Sequence, residues 1–235
     1  MRVAVKEEVP MIRNATAAIA AGAASLMLAT TPAAAATTVA SWEMNEIGGS
    51  VSMQDGTQSG YGTIGSDVVL NGETYRFPYI KPNSVYQPQH IVTVPNAPEL
   101  NPGTADWSVT TRFRFTNSFG NMLQKGQGGQ TYFKMQAPRG VVSCLFRGAD
   151  GSKSVNSGVP LNDGAWHTVR CQRSGDAVTM TIDDGVKVRR ANGPTGQISN
   201  TMPFAIGGKS KCNAVTVTCD YWVGEMDYVR IESGL

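Results

Sequence analysis

The sequence predicts an all-β fold, a sandwich or barrel of antiparallel strands, on three observations. Apolar residues past the first 36 positions show almost no helical periodicity. They fall instead into short runs that alternate apolar and polar, the pattern of a strand with one buried and one wet face. Clusters of Gly, Asn, Asp and Pro part those runs roughly every ten residues, the spacing of a two-sheet stack or closed barrel.

The first segment stands outside that pattern. Arg13, the alanine-rich apolar run from Ala15 to Thr30, and the small residues around Pro32 to Ala36 read as an export signal. Ala34 and Ala36 offer the small side chains that a signal peptidase reads, which places cleavage after Ala36. The apolar run is short and poor in bulky side chains, so no membrane span is expected once the signal is removed. Met11-Ile12-Arg13-Asn14 is a more ordinary beginning for such a signal than Met1 to Pro10, so initiation is expected at Met11. The expected organisation is a signal at residues 1–36 and one domain at 37–235, secreted and extracellular.

Within the domain the clearest strand is Trp107 to Phe115, with Trp107, Val109, Phe113 and Phe115 on one face and Ser108, Thr110, Arg112 and Arg114 on the other. Similar runs are read at His90 to Val94, Tyr132 to Gln136, Val141 to Phe146, His167 to Arg173, Ala177 to Ile182 and Tyr221 to Ile231. Gly126 to Gly129, Asp150-Gly151, Asn162-Asp163-Gly164, Asp184-Gly185 and Asn192-Gly193-Pro194 supply the turns. In the last run the phase must change, because Tyr221, Val223, Glu225, Asp227, Val229 and Ile231 cannot all face one core with Trp222 and Met226 on the other side. Gly224 is the expected bulge, which would put Asp227 on the inward face, at the rim of the core and in need of a partner.

Removing residues 1–36 leaves 17 basic and 16 acidic residues with no cationic run on any strand, so nucleic acid is not an expected partner. All four cysteines lie past the signal, where an oxidising environment forms disulfides. Of three pairings, Cys144–Cys171 with Cys212–Cys219 joins the nearest neighbours, each in strand-like sequence. Loops of these sizes stabilise by about 3.5 and about 2.5 kcal/mol in the chain-entropy treatment. The absence of Cys-x-x-Cys and the presence of only two histidines speak against a zinc site.

Four stretches in fixed order carry a family resemblance: Asp163-Gly164-Ala165-Trp166-His167-Thr168-Val169, Val178 to Gly185, Phe204-Ala205-Ile206-Gly207-Gly208 and Gly224-Glu225-Met226-Asp227-Tyr228-Val229-Arg230-Ile231. Ser41-Trp42-Glu43-Met44-Asn45-Glu46, Asn96 to Gly103 and Asp106 to Val109 add to them. From about Ala40 to Glu232 the chain resembles a laminin G-like domain of the concanavalin A-like lectin and glucanase superfamily. The resemblance implies a jelly-roll sandwich of two curved antiparallel sheets, of the kind found in extracellular proteins that bind glycans or other proteins, often with a calcium ion; a non-enzymatic module with one structural calcium is the expectation here. Carbohydrate recognition is the leading expectation, a cell-envelope module with a protein partner the next, and a polysaccharide-active enzyme the third.

Candidate residues follow from chemistry. Exposed rings in turn-rich sequence stack on pyranose faces, which selects Tyr61, Tyr79 and Tyr86 for ligand binding. Trp42, Trp107, Trp166 and Trp222 sit in strand-like pattern and are expected in the core or at a sheet edge. Asn45 or Glu46, Asp55 and Asp227 would supply calcium with oxygen ligands if the first and last strands are neighbours, as the resemblance implies. No catalytic residue is assigned: Glu225-Met226-Asp227 begins the glucanase pattern, but Val229 and Arg230 stand where its third carboxylate would fall. His167, at the start of a strand, is expected to make a structural hydrogen bond rather than act as a base.

Overall fold

The alternation read along residues 107–115 is that of the structure. In the computed structural model, which describes residues 36–54, 61–80, 88–185, 187–210 and 220–235, Trp107, Val109 and Phe113 are fully buried. The intervening Thr110, Arg112 and Arg114 reach the outer face. The expected signal peptide and Met11, Asp55, Tyr86 and the Cys212–Cys219 pair lie outside the described residues.

In chain order the strands are β1 (Thr37–Trp42), β2 (Ser52–Met53), β3 (Gly62–Ile64), β4 (Val69–Leu70), β5 (Tyr75–Phe77), β6 (Val92–Val94), β7 (Trp107–Arg114) and β8 (Asn121–Lys125). They continue with β9 (Tyr132–Gln136), β10 (Ser143–Gly148), β11 (Gly151–Asn156), β12 (His167–Ser174), β13 (Ala177–Ile182), β14 (Lys187–Asn192), β15 (Phe204–Ile206) and β16 (Gly224–Ser233). One sheet runs β14-β13-β12-β7-β16-β5-β4, with β1 also on β16; the other runs β11-β10-β9-β8-β15-β6-β3-β2. Every ladder is antiparallel, and the fold is a jelly-roll sandwich. Trp42, Trp107, Trp222, Phe113, Phe133, Phe146 and Phe204 fill the space between the sheets, all fully buried. Among the described residues no helix is long and apolar enough to cross a membrane.

The last strand differs from expectation. It begins at Gly224, and its phase change falls at Asp227, where the pairing with β7 shifts register between Met226 and Tyr228. The bulge brings Met226, Val229 and Ile231 all inward, fully buried, and turns Asp227 to the outer face. Gly224 serves a different purpose: a Cβ there would stand 2.6 Å from the Trp222 ring and 2.7 Å from the Arg114 carbonyl oxygen, so close strand approach requires glycine.

Two ties hold the expected motifs together. Cys144 of β10 is bonded to Cys171 of β12, joining the two sheets as the nearest-neighbour pairing predicts. Asp163-Gly164-Ala165-Trp166-His167 is locked to Asp183-Asp184-Gly185 through one imidazole. His167 Nδ1 donates to Asp183 at 2.9 Å, Nε2 donates to Asp163 at 3.1 Å, and the Thr168 amide donates to the other Asp183 oxygen at 3.0 Å. Asp183 and Asp184 hold left-handed backbone, φ 49° and 54°, which aspartate tolerates better than most residues. Burial alone would lower the His167 pKa, but the two aspartates outweigh it and raise it.

Cys144→Ser should therefore lower stability by about 3.5 kcal/mol, and a thermal melt unchanged by the substitution would contradict a stabilising cross-sheet bond. Because the folded pKa of His167 lies above its ordinary 6.5, the clamp contributes fully below that value and is lost as pH rises through the folded pKa. The advantage in melting temperature of the protein over His167→Gln should be largest in acid and shrink on alkalisation. A gap that stays constant with pH counts against a charged clamp.

Candidate functional site

At one end of the first sheet the end of β5, the start of β16 and the end of β7 lie side by side, because the three are antiparallel neighbours. On the outer face this sets Arg76 and Arg114 on either side of Glu225, each directly opposite it in register. Alternation dictates the exposure: Tyr75 and Phe77 are fully buried, so Arg76 between them points outward. The three line a groove of about 280 Å³ with Tyr79, Phe77, Thr116 and Gly164.

The outer face around the groove is a lattice of guanidinium and carboxylate groups. Arg112 pairs with Asp227 at 2.6 Å, Arg114 with Glu225 at 2.8 Å and Arg170 with Glu232 at 3.3 Å. Each pair is half-exposed and contributes about 0–1 kcal/mol to stability, so their effect is to fix geometry. Trp166 fixes it further, with the Arg112 and Arg114 guanidinium carbons 4.5 Å and 4.9 Å from its ring centroid. The Arg76 side chain carries no ion pair or hydrogen bond to any described residue, so the groove holds two guanidinium groups against one carboxylate.

The candidate residues do not converge. Tyr79 lines the groove and is 67% exposed. Tyr61 is also exposed, but it precedes β3 of the other sheet and does not line this groove. Trp42, Trp107 and Trp222 are core as expected, whereas Trp166 is half-buried against the two arginines. The first and last strands do pair, Trp42 opposite Val229. Of the calcium set, however, Asp227 is engaged by Arg112 and Asn45 is exposed, while the neighbouring Glu46 accepts from the Gln54 amide and the Tyr75 hydroxyl. Among the described residues no three His, Asp, Glu or Cys side chains are grouped to hold a metal.

Glu225 and Asp227 are each paired with a guanidinium. His167 spends both ring nitrogens on aspartates. His90 is fully buried beside Phe77 and Tyr221, its Nε2 donating to the Trp222 carbonyl at 2.8 Å, and burial lowers its pKa. Two buried cations escape sequence reasoning. Lys125, its pKa pushed down to about 8 by burial, donates to Asn96 and Asn200 side-chain oxygens and to the Asn200 and Met202 carbonyls. Arg173 donates to the carbonyls of Pro102, Gly103, Ala105 and Gly196. Both pin loops and neither reaches solvent. What was missed at the groove is Arg76, whose only signal was its place between two buried aromatics in Tyr75-Arg76-Phe77.

Comparison with known proteins places this geometry. Residues 113–234 match the family described as the laminin G domain. The binding domain of Paraclostridial Mosquitocidal Protein 1 superposes with a TM-score of 0.59 at 12% identity, covering 83% of this chain and 47% of that one. The ligand binding domain of botulinum neurotoxin serotype D, solved in complex with N-acetylneuraminic acid, gives 0.58 at 10% identity, covering 83% and 46%. Domains LG4-5 of the mouse laminin alpha1 chain give 0.46 at 18% identity, covering 60% and 38%. The chain thus spans less than half the length of these structures, and the likeness to the two toxin domains is one of fold. The family match covers more than half of the sequence, and the chain belongs to the laminin G domain family.

Proposed function

We propose that the protein is a secreted, non-enzymatic binding module that takes a carbohydrate in the groove between β5, β16 and β7. The observation that carries this reading is the groove itself: an exposed ring, Tyr79, beside two guanidinium groups and a carboxylate, all in one concavity. An aromatic face stacks on the C–H face of a pyranose while charged groups bond its hydroxyls. Two neighbours of the same fold are titled as a binding domain and as a ligand binding domain holding N-acetylneuraminic acid, which agrees with a sandwich used for recognition. The cross-sheet disulfide agrees with an oxidising, extracytoplasmic location.

A second reading, a cell-envelope module with a protein partner, rests on a different surface. Val51 and Val69 are exposed at a cavity of about 370 Å³ lined also by Ile64, Val68 and Leu70, and the exposed Ile47 immediately precedes its lining residue Gly48; together they form an apolar cluster of the kind that meets a protein partner. Capture of a partner from envelope extract that survives glycosidase treatment would favour it. A structural calcium at Asn45, Asp55 and Asp227 is a separate proposal. Titration of chelator-stripped protein with calcium should raise the melting temperature if the ion binds, and an unchanged melt removes it.

The test of the main reading is a glycan and polysaccharide binding screen with a reducing-sugar assay on the same samples. Binding without product release is expected, and Tyr79→Ala should weaken it about tenfold, the loss of one ring stack of about 1–1.5 kcal/mol. Released sugar would overturn the non-enzymatic part, and binding indifferent to Tyr79→Ala would move the site elsewhere.

A further inference from the structure

We infer that the groove selects pyranoses bearing a carboxylate, which docks on Arg76; this rests on the carbohydrate reading above and names the ligand class. The argument begins with the arginines that already have partners. Arg112, Arg114, Arg170 and Arg230 each have a carboxylate of the same face within 4 Å: Asp227, Glu225, Glu232 and Glu43. Arg76 stands directly across from Glu225, yet Glu225 turns its Oε2 to Arg114 on the opposite side, where Trp166 holds the guanidinium in place. Arg76 is thereby left as an exposed planar fork of donors with no partner among the described residues.

A guanidinium fork matches a carboxylate through two parallel hydrogen bonds, a geometry that a hydroxyl cannot reproduce. Tyr79, three residues further along the chain, puts its ring into the same groove, so the sugar that carries the carboxylate has a face to stack on. The Glu225 Oε1 atom takes no hydrogen bond from a described residue and is left to accept one from a ring hydroxyl. The same carboxylate repels an acid placed over the middle of the groove and drives it to the Arg76 side. A groove of about 280 Å³ is at the small end for ligand sites, which suits a single terminal sugar residue better than a chain segment.

The test uses matched glycans that differ in the acid alone: sialyllactose against lactose, and oligogalacturonate against its methyl ester, with a sulfated galactan as the anion control. On the full chain the acidic member of a pair should bind at least about tenfold more tightly. The preference should shrink as salt is raised. Arg76→Gln, an exposed substitution checked by an unchanged melt, should abolish the preference by weakening the acidic member far more than the neutral one, whereas Tyr79→Ala should weaken both members alike. Equal binding within pairs, or a preference that survives Arg76→Gln, overturns this inference and leaves the carbohydrate reading standing. Tighter binding of the sulfated galactan than of either carboxylate overturns it as well. Absence of binding to every glycan overturns both.

Discussion

The pairing of β16 with β7 is the constraint from which the rest of the sandwich takes its register. It runs from Glu225 opposite Arg114 to Ser233 opposite Trp107 with one extra residue at Asp227. Because side chains alternate with a period of two, that single extra residue decides which half of the strand faces the core. With it, Met226, Val229 and Ile231 are all buried; without it, either Met226 or the Val229 and Ile231 pair would face water. The other side of β16 then receives β1 toward its end and β5 at its start, so the core, the closure of the chain onto its own beginning and the position of the groove rest on one ladder.

The bulge also organises charge. An inward Asp227 would have been a buried carboxylate, costly without a partner. Turned outward it meets Arg112, and the neighbouring Glu225 meets Arg114. Each exposed pair adds little to stability, but together they commit the carboxylates of the face to particular arginines. Among the described residues the groove is left with one guanidinium, Arg76, that has no carboxylate, beside an exposed ring.

Most of the frame was legible in the sequence because a half-buried strand writes its exposure pattern directly into residue type. The strands at Tyr132–Gln136 and Ala177–Ile182 stand where the alternation puts them, and the cysteine pair nearest in sequence joins the sheets. Strands whose exposure does not alternate were illegible. β8 is buried at all five positions yet contains Asn121, Gln124 and Lys125, its polar atoms satisfied in part by distant loops that no local pattern encodes. β11 and β14 are edges, largely exposed, and are not among the runs that the alternation picks out. The groove was half legible: Tyr79 was found from its turn-rich context, but Arg76, Glu225 and Arg114 come from three separate parts of the chain and become a site only through cross-strand register. Gly224 and Asp227 show the same limit in miniature, since glycine fits either a bulge or a close approach and only packing against Trp222 and Arg114 selects between them.

The disulfide divides the sandwich unequally. It ties β12 to β10, near the edges formed by β14 and β11, while the other half, with the two- and three-residue strands β2, β3, β4 and β5, is held by packing and short ladders. Local opening of a folded protein starts where contacts are fewest, so among the described residues excursions from the native state begin in the half with the shortest ladders. The groove lies there, between β5 and β16. A ligand bridging those strands would act as a reversible counterpart of the covalent staple, tying by occupancy two strands that are joined by a ladder of only three residue pairs.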